Sequence, residues 1–458
     1  MEDSSVIIVG AGAAGLAAAR DLSVAGHQAI VLEARDRIGG RIFTWKSSEF
    51  PLPIELGAEF VHGKSPALWD LAGRAHLELN ETSDSHWYFE DGKLSKSHDF
   101  WKHIEELNDR MKSCASDQSL KDFLSTLPDD DDTRRAKDMV TRYVQGFHAA
   151  DIDRIGIHGI VKANEAADDI EGDKSFRFMT GYDSLINALC AESESYGAKI
   201  HLNTIVREIG WSNQRIEVVC EHDNRLISFA AAVAIITLPL GVLQKNDENP
   251  AVRFIPELPA HTRRAIKTLV MGNVLRIVLC FRERFWEAAK AWDQHGTLIS
   301  FRDTGFIHYP DAPIPTWWTQ LPLRAPVLVG WTGGPRADIL IDRENFEPQS
   351  GTPATIDANI LDRAIESLAR IFNLSKARVR DQLEASYHHE WGQDPFSRGA
   401  YSYVPVNGLA HQRELSQPIA DRLFFAGEAT SVGHIGTVHG AIQSGQRAAR
   451  EVADCYNG

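Results

Sequence analysis

Gly10, Gly12, Ala14 and Gly15 stand between a short apolar run, Val6-Ile7-Ile8-Val9, and an Ala/Leu-rich stretch from Leu16 to Val24 that Gly26 closes. A second apolar run, Ala29 to Leu32, ends on Glu33. The order reads as strand, glycine turn, helix, strand, acid. In such a unit Gly10 permits the tight turn, Gly12 lets backbone approach a pyrophosphate, and Gly15 lets the helix pack close to the sheet. The helix N-terminus offers unpaired N–H groups and partial positive charge to phosphates. Glu33 can accept both ribose hydroxyls of an adenosine. These residues are suited to holding a dinucleotide.

The segment after the acid narrows the choice. Ala34-Arg35-Asp36-Arg37-Ile38-Gly39-Gly40-Arg41 resembles the extension found in flavoproteins of the glutathione-reductase-like FAD fold. The resemblance implies that Ala34, Arg35, Gly40 and Arg41 lie along the FAD, with the glycine pair and Arg41 beside its pyrophosphate.

Composition sets outer limits. The chain has 458 residues, enough for two domains. Its 48 Lys and Arg against 63 Asp and Glu give a formal charge of −15, which argues against nucleic acid as a partner and mildly favours cationic substrates. The five cysteines are scattered without C-x-x-C spacing, and His388-His389 has no metal-ligand spacing around it, so neither a disulfide framework nor a metal site is expected. The chain enters its first strand by residue 6, and no apolar run reaches membrane-spanning length. The expectation is a reduced, soluble, cytoplasmic protein, monomeric or homodimeric.

Helical patterns run from about 81 to 174, including Phe100 to Met111 and Lys137 to Phe147, with the acidic patch Asp129 to Asp132 expected as a solvated loop. The texture turns β-rich from about 196: Lys199 to Glu208, Ile216 to Glu221, Ala232 to Thr237, Ile277 to Phe281 and Val327 to Trp331. Leu361, Ile365, Leu368 and Phe372 form a one-faced helical stripe. A short strand, Leu423 to Ala426, precedes an Ala-rich helix from Gly440 to Val452. Cofactor-type elements therefore occur at both ends and in the middle. The predicted class is α/β: a Rossmann-like FAD-binding domain built from discontinuous segments (1–80, 175–255 and 385–458), plus an α+β substrate domain (81–174 and 256–384) with a mixed sheet and flanking helices.

Four further segments point to one family. Glu55-Leu56-Gly57-Ala58-Glu59-Phe60-Val61-His62-Gly63 looks like the E-x-G-A-x-W-[IV]-x-G loop of polyamine oxidases. Thr204-Ile205-Val206-Arg207-Glu208 is followed by Thr237-Leu238-Pro239-Leu240-Gly241-Val242-Leu243. Trp391 to Tyr403 resembles W-x-x-[DN]-P-x-x-x-G-x-Y-x-Y, and Phe424-Phe425-Ala426-Gly427-Glu428-Ala429-Thr430 precedes Thr437-Val438-His439-Gly440-Ala441. With the glycine fingerprint, this set resembles the flavin-dependent amine oxidases, in the branch of polyamine oxidases and lysine-specific histone demethylases. A tower insertion and an accessory N-terminal domain are not expected.

The resemblance implies roles residue by residue. Gly57, Ala58, Glu59, Gly427, Glu428 and Val438 contact FAD, and the Val206 backbone holds the adenine. Trp391 lies beside the isoalloxazine; Tyr401 and Thr437 face each other across it. His62 matches an active-site histidine of animal polyamine oxidases. Ala400 stands where monoamine oxidases carry the cysteine that bonds the flavin, so the FAD is expected to be non-covalent. One departure stands out: Arg276 occupies the place of a lysine that holds a water at flavin N5. Arginine is planar, longer and never deprotonated, so it could hold that water, fill its place or anchor a substrate carboxylate.

The implied reaction is oxidation of a C–N bond of a small-molecule amine or polyamine, with hydride passing to the flavin and molecular oxygen giving H2O2. The acidic group Glu165, Asp168, Asp169, Glu171 and Asp173 could receive a distal ammonium or be a solvated loop. The alternatives are a flavin amine or amino-acid dehydrogenase with poor oxygen reactivity because of Arg276, and a non-catalytic flavoprotein scaffold.

Overall fold

The protein is described by a computed structural model, which covers residues 5–47, 50, 52–96, 100–245, 252–293, 295–341 and 356–457. Strand Ser5–Val9 lies at the centre of a five-stranded sheet in the order 199–201, 28–32, 5–9, 233–236, 423–425, every neighbour pair parallel. Its side chains show why the run is continuously apolar. Val6 and Ile8 enter the core on one face, Ile7 and Val9 the core on the other. A strand covered on both faces needs apolar residues at every position. Helices Ala13–Val24, Asp183–Ser195 and Val438–Asn457 pack together on the first face.

The second large sheet has seven strands in the order 383–388, 274–281, 327–333, 316–319, 306–308, 86–90, 93–95. It is mixed: strand Phe306–His308 runs parallel to His86–Glu90, and the other pairs are antiparallel. Helix Ala358–Ile371 covers it with the predicted stripe, and Asp357 caps the helix by accepting from Asn359 and Ile360 N–H at 2.9 and 3.1 Å. Strand Leu383–His388 spans the 384/385 boundary expected between the domains.

Three local expectations give way to the observed chain. Residues 81 to 96 are not helical; His86–Glu90 and Lys93–Ser95 form a hairpin across Asp91-Gly92, both at positive φ, which is the Asp-Gly turn chemistry. The run from Lys199 to Glu208 divides between two sheets at Asn203, which sits at φ +52°. The acidic patch is the start of helix Asp131–Phe147: Asp130 caps it through Thr133 N–H at 2.9 Å, and Asp131 and Asp132 lie in its first turn. Acids there satisfy free N–H groups and complement the helix dipole. No helix among the described residues is long and apolar enough to cross a membrane.

Candidate active site

Two glycines of the turn are fixed by its own backbone. A Cβ on Gly15 would lie 1.9 Å from the Gly10 carbonyl, and Gly10 itself adopts φ +108°. Both are demanded by the fold. A Cβ on Gly12, by contrast, would meet nothing within 4 Å. Gly12 opens helix Ala13–Val24 without a side-chain cap, so the helix N-terminus faces that open space. Glu33, buried at the end of strand Gln28–Leu32, accepts from Ala11 N–H at 2.8 Å and Arg35 N–H at 2.9 Å. These donors fix its carboxylate while each oxygen keeps a lone pair for a ribose. The residues present therefore fit a dinucleotide. Gly40 folds back on the turn, its own Cβ position 3.5 Å from Gly12 Cα, and Ala34 follows Glu33 directly. Val206 is buried and precedes an irregularity in the pairing of Ile205–Trp211 with Ile216–His222.

The separated motifs meet through charged side chains. Arg35 donates to Asp394 (2.7 Å) and Ser397 (2.9 Å), tying the first segment to the Trp391–Tyr403 segment. Arg41 donates to the Ala400 carbonyl and to Glu428, both at 2.9 Å. The other Glu428 oxygen accepts from Ser402 Oγ (2.6 Å) and Gly436 N–H (2.9 Å). Gly427 is at φ +130° with nothing within 4 Å of a Cβ, a second place where backbone can approach a ligand. Trp391 Nε1 donates to the Leu56 carbonyl at 2.9 Å, and a Cβ on Gly57 would meet the Arg41 carbonyl at 2.0 Å and Trp391 at 3.1 Å. Gly57 is thus wedged between Arg41 and Trp391, with Ala58 N–H donating to the Arg41 carbonyl at 3.1 Å.

Tyr401 begins a short strand, Tyr401–Tyr403, paired with Val270–Gly272. Its ring packs on Gly436, and a Cβ there would come within 3.2 Å of it, next to Thr437. Thr437 also serves the fold, since its hydroxyl donates to His434 O (2.8 Å) and accepts from Gly440 N–H (3.0 Å), capping the final helix ahead of Val438. The Tyr401 hydroxyl donates to the Phe147 carbonyl at 2.7 Å. Phe147 also meets His62 edge-on, ring centres 5.4 Å apart, and stacks on Tyr143 at 5.2 Å. Burial lowers His62 to about 4, so it is neutral at physiological pH, with Nδ1 3.2 Å from Ser175 Oγ. Burial also pushes Tyr401 up, leaving it a neutral phenol.

Arg276 is committed internally. It is buried, its Nη2 donates to Glu59, and its Nη1 donates to the Gly57 carbonyl at 3.3 Å. Glu59, expected at the cofactor, turns its carboxylate to Arg276, to Arg177 (2.9 Å), to Trp318 Nε1 (3.1 Å) and to Gln320 (3.3 Å). Burial alone would raise Glu59; the attraction of Arg177 and Arg276 and the donated hydrogen bonds hold it below its usual value. His388 and His389 go separate ways, to Arg276 O (2.9 Å) and Asp394 (2.8 Å). No metal-binding group of acids, histidines and cysteines occurs among the described residues.

Sequence reasoning missed Arg177, Phe147, Tyr143 and Trp318. Arg177 had a signal, a lone charge within Phe176-Arg177-Phe178 on a buried strand. Phe147 and Trp318 had none, because their roles exist only through tertiary contact.

Comparison with known proteins agrees with this geometry. The family model for flavin containing amine oxidoreductases matches residues 13–453. A lysine-specific histone demethylase 1 homolog 2 of Oryza sativa subsp. japonica is 30% identical over 98% of this chain, and the chain spans 57% of that relative's length. Polyamine oxidase 3 of the same species is 29% identical, over 98% of this chain and 88% of the relative. A solved structure of putrescine oxidase bound to putrescine superposes with a TM-score of 0.78 at 21% identity, covering 99% of each chain, a likeness of fold. The match across nearly the whole chain, on a scaffold whose glycine turn and acid fit a dinucleotide, places this protein in the flavin containing amine oxidoreductase family, which uses FAD.

Proposed function

We propose that the protein is an FAD-dependent amine oxidase that oxidises a C–N bond of a small-molecule amine or polyamine and delivers the electrons to oxygen as H2O2. The observation that carries this reading is the ring of Tyr401, Phe147 and neutral His62 beside Thr437, joined by the Tyr401–Phe147 hydrogen bond. Bound FAD supplies the hydride acceptor that no side chain provides. The chain's residues do the rest. Tyr401 offers a π-face that favours an amine or incipient cation. His62, uncharged, can accept from a substrate nitrogen without repelling it. An apolar, aromatic surround disfavours the ammonium form and so favours the reactive free amine. Ala400 carries no sulfur, so the cofactor is held without a covalent bond. The similarity to polyamine oxidases over most of their length supports a polyamine-type substrate.

A second reading, a dehydrogenase with slow oxygen chemistry, is supported by the hold of Glu59 on Arg276, the residue at the position where the sequence resemblance implies a lysine. The same contact weighs against Arg276 as an anchor for an amino-acid carboxylate. The test is anaerobic flavin bleaching by spermidine, spermine, their acetyl forms, aromatic monoamines and amino acids. Bleaching by an amine is expected; bleaching by amino acids alone overturns the proposal. Stopped-flow reoxidation of the reduced enzyme by oxygen then separates oxidase from dehydrogenase.

A further inference from the structure

We propose that Glu59 is a positioning residue that tunes the bound flavin through Arg276, clamping its guanidinium against the Gly57 carbonyl and cancelling one of two buried positive charges. The inference rests on the FAD reading above and goes beyond it.

Glu59 stands at an open position of the E-x-G-A-x-W loop pattern, yet here it is saturated with donors. One oxygen accepts from Arg276 Nη2 and Trp318 Nε1; the other accepts from Gln320 Nε2 and forms an ion pair with Arg177 Nη2. The side chains of Glu59, Arg276 and Arg177 are 2%, 5% and 7% exposed. Arg177 is pinned from behind, its Nη1 donating to the Thr319 and Leu321 carbonyls, each at 3.1 Å. The two guanidiniums lie over Trp318 (5.5 Å) and Phe60 (4.7 Å), rings that pack on each other at 5.4 Å. Three other segments converge on this one carboxylate of the 55–63 loop: Ser175–Phe178, Val274–Phe281, and Thr316–Thr319 with Gln320 after it.

Two guanidiniums and one carboxylate leave one net positive charge. Glu55, whose carboxyl accepts from Tyr182 N–H and Thr44 Oγ1, is kept protonated at neutral pH by burial and adds none. The surplus lies against Gly57, which is wedged between Arg41 and Trp391, the residues proposed to border the cofactor. Buried charges act over such distances with little screening. A net positive charge there favours the anionic reduced flavin. Glu59 sets its size.

Opposite charge changes must therefore move the flavin in opposite directions. Glu59→Gln leaves two uncancelled guanidiniums and raises the midpoint potential; Arg276→Met leaves Arg177 paired with Glu59 and lowers it. Loss of packing alone would move both variants the same way. The experiment starts with flavin content of the purified native protein. Absence of bound FAD would defeat the functional reading itself rather than this inference. With FAD bound, dye-equilibrated reductive titration is expected to show at least a tenfold change in the two-electron reduction equilibrium, about 30 mV, up for Glu59→Gln and down for Arg276→Met. Shifts of the same sign, or both under twofold, overturn the proposal. Should Glu59→Gln fail to fold, Glu59→Asp and Arg276→Lys conserve the charge: each is expected to stay within twofold while melting at a lower temperature, and a tenfold shift in either also overturns it.

Discussion

The Tyr401 hydroxyl donates to the carbonyl of Phe147, the last residue of helix Asp131–Phe147, at 2.7 Å. The preceding carbonyl, Gly146 O, accepts from Trp331 Nε1 at 2.9 Å. Carbonyls in the last turn have no partner within the helix. Tyr401 and Trp331 supply them, so the end of one helix fixes the position of two aromatic side chains from distant segments.

Tyr401→Phe keeps the ring and removes that bond, a change of about 0.5–1.5 kcal/mol. The limiting rate of anaerobic flavin reduction by the best amine is expected to fall up to roughly tenfold, by loss of wall position. Tyr401→Ala also removes the π-face, about a further 0.5–2 kcal/mol. Equal losses in the two variants would assign the whole effect to the hydroxyl and none to the ring.

How much of this was legible in the sequence follows the range of each interaction. The strand, glycine turn and helix around Gly10 to Gly15, and Glu33 after them, are set by neighbours in the chain, so residue types and spacing suffice. Asp91-Gly92 was equally local, and its turn chemistry was available; the helical pattern read across 81–174 overrode it. The division of 199–208 at Asn203 depends on which sheet each half joins, a tertiary choice that periodicity does not carry. Arg276 was visible as a departure, but its meaning depends on Glu59 and Arg177, distant in the chain and adjacent only in the fold. Thr437 was read from the sequence only through its resemblance to a flavin-facing position, while its capping of the last helix shows only in the geometry.

The glycines separate folding from binding. Gly15→Ala sets a methyl 1.9 Å from the Gly10 carbonyl, a clash with backbone that cannot rotate away. Its cost should exceed the ~1–3 kcal/mol of ordinary overpacking, and little folded protein is expected. Gly12 adopts φ −78° and has open space, so Gly12→Ala should keep the apo melting point, within about 0.5 kcal/mol of native stability. FAD affinity, by fluorescence quenching, should fall at least about tenfold, since the methyl enters the space for the pyrophosphate. Unchanged affinity would remove Gly12 from the cofactor site.

Acid should weaken the fold well above the carboxylate range. Burial lowers His62 and His148 to about 4, and His308 and His439 to about 3. The unfolded chain takes up these protons near 6.5 while the folded chain refuses them, so stability is full above that value and falls with pH toward 4. Glu55 opposes the trend: burial raises it to about 8, and between its unfolded value and 8 the folded state is the better proton binder. These four histidines alone outweigh it below 6.5, by about three protons taken up on unfolding, and burial also lowers His86, His201, His389 and His434, which adds to the uptake. Urea midpoints between pH 7.5 and 5 should fall accordingly, and His62→Gln should flatten the slope by about one proton. A flat profile would show that these rings are solvated.

Two members of the acidic group, Glu165 and Glu171, are already answered by lysines. Glu171 is bonded by Lys64 at 2.9 Å and Lys174 at 2.6 Å, and Glu165 lies 3.3 Å from Lys162. The Glu171 side chain is 48% exposed, and solvent screens surface pairs of this kind. A distal ammonium arriving there would have to displace a resident lysine for a similar contact, so little selectivity is available. Glu171→Gln is accordingly expected to change the KM for spermidine by less than about twofold, and to leave its ratio to a monoamine of similar length unchanged. A tenfold rise confined to the polyamines would make Glu171 a receptor for the distal charge after all, with Lys64 and Lys174 as the groups that yield to it.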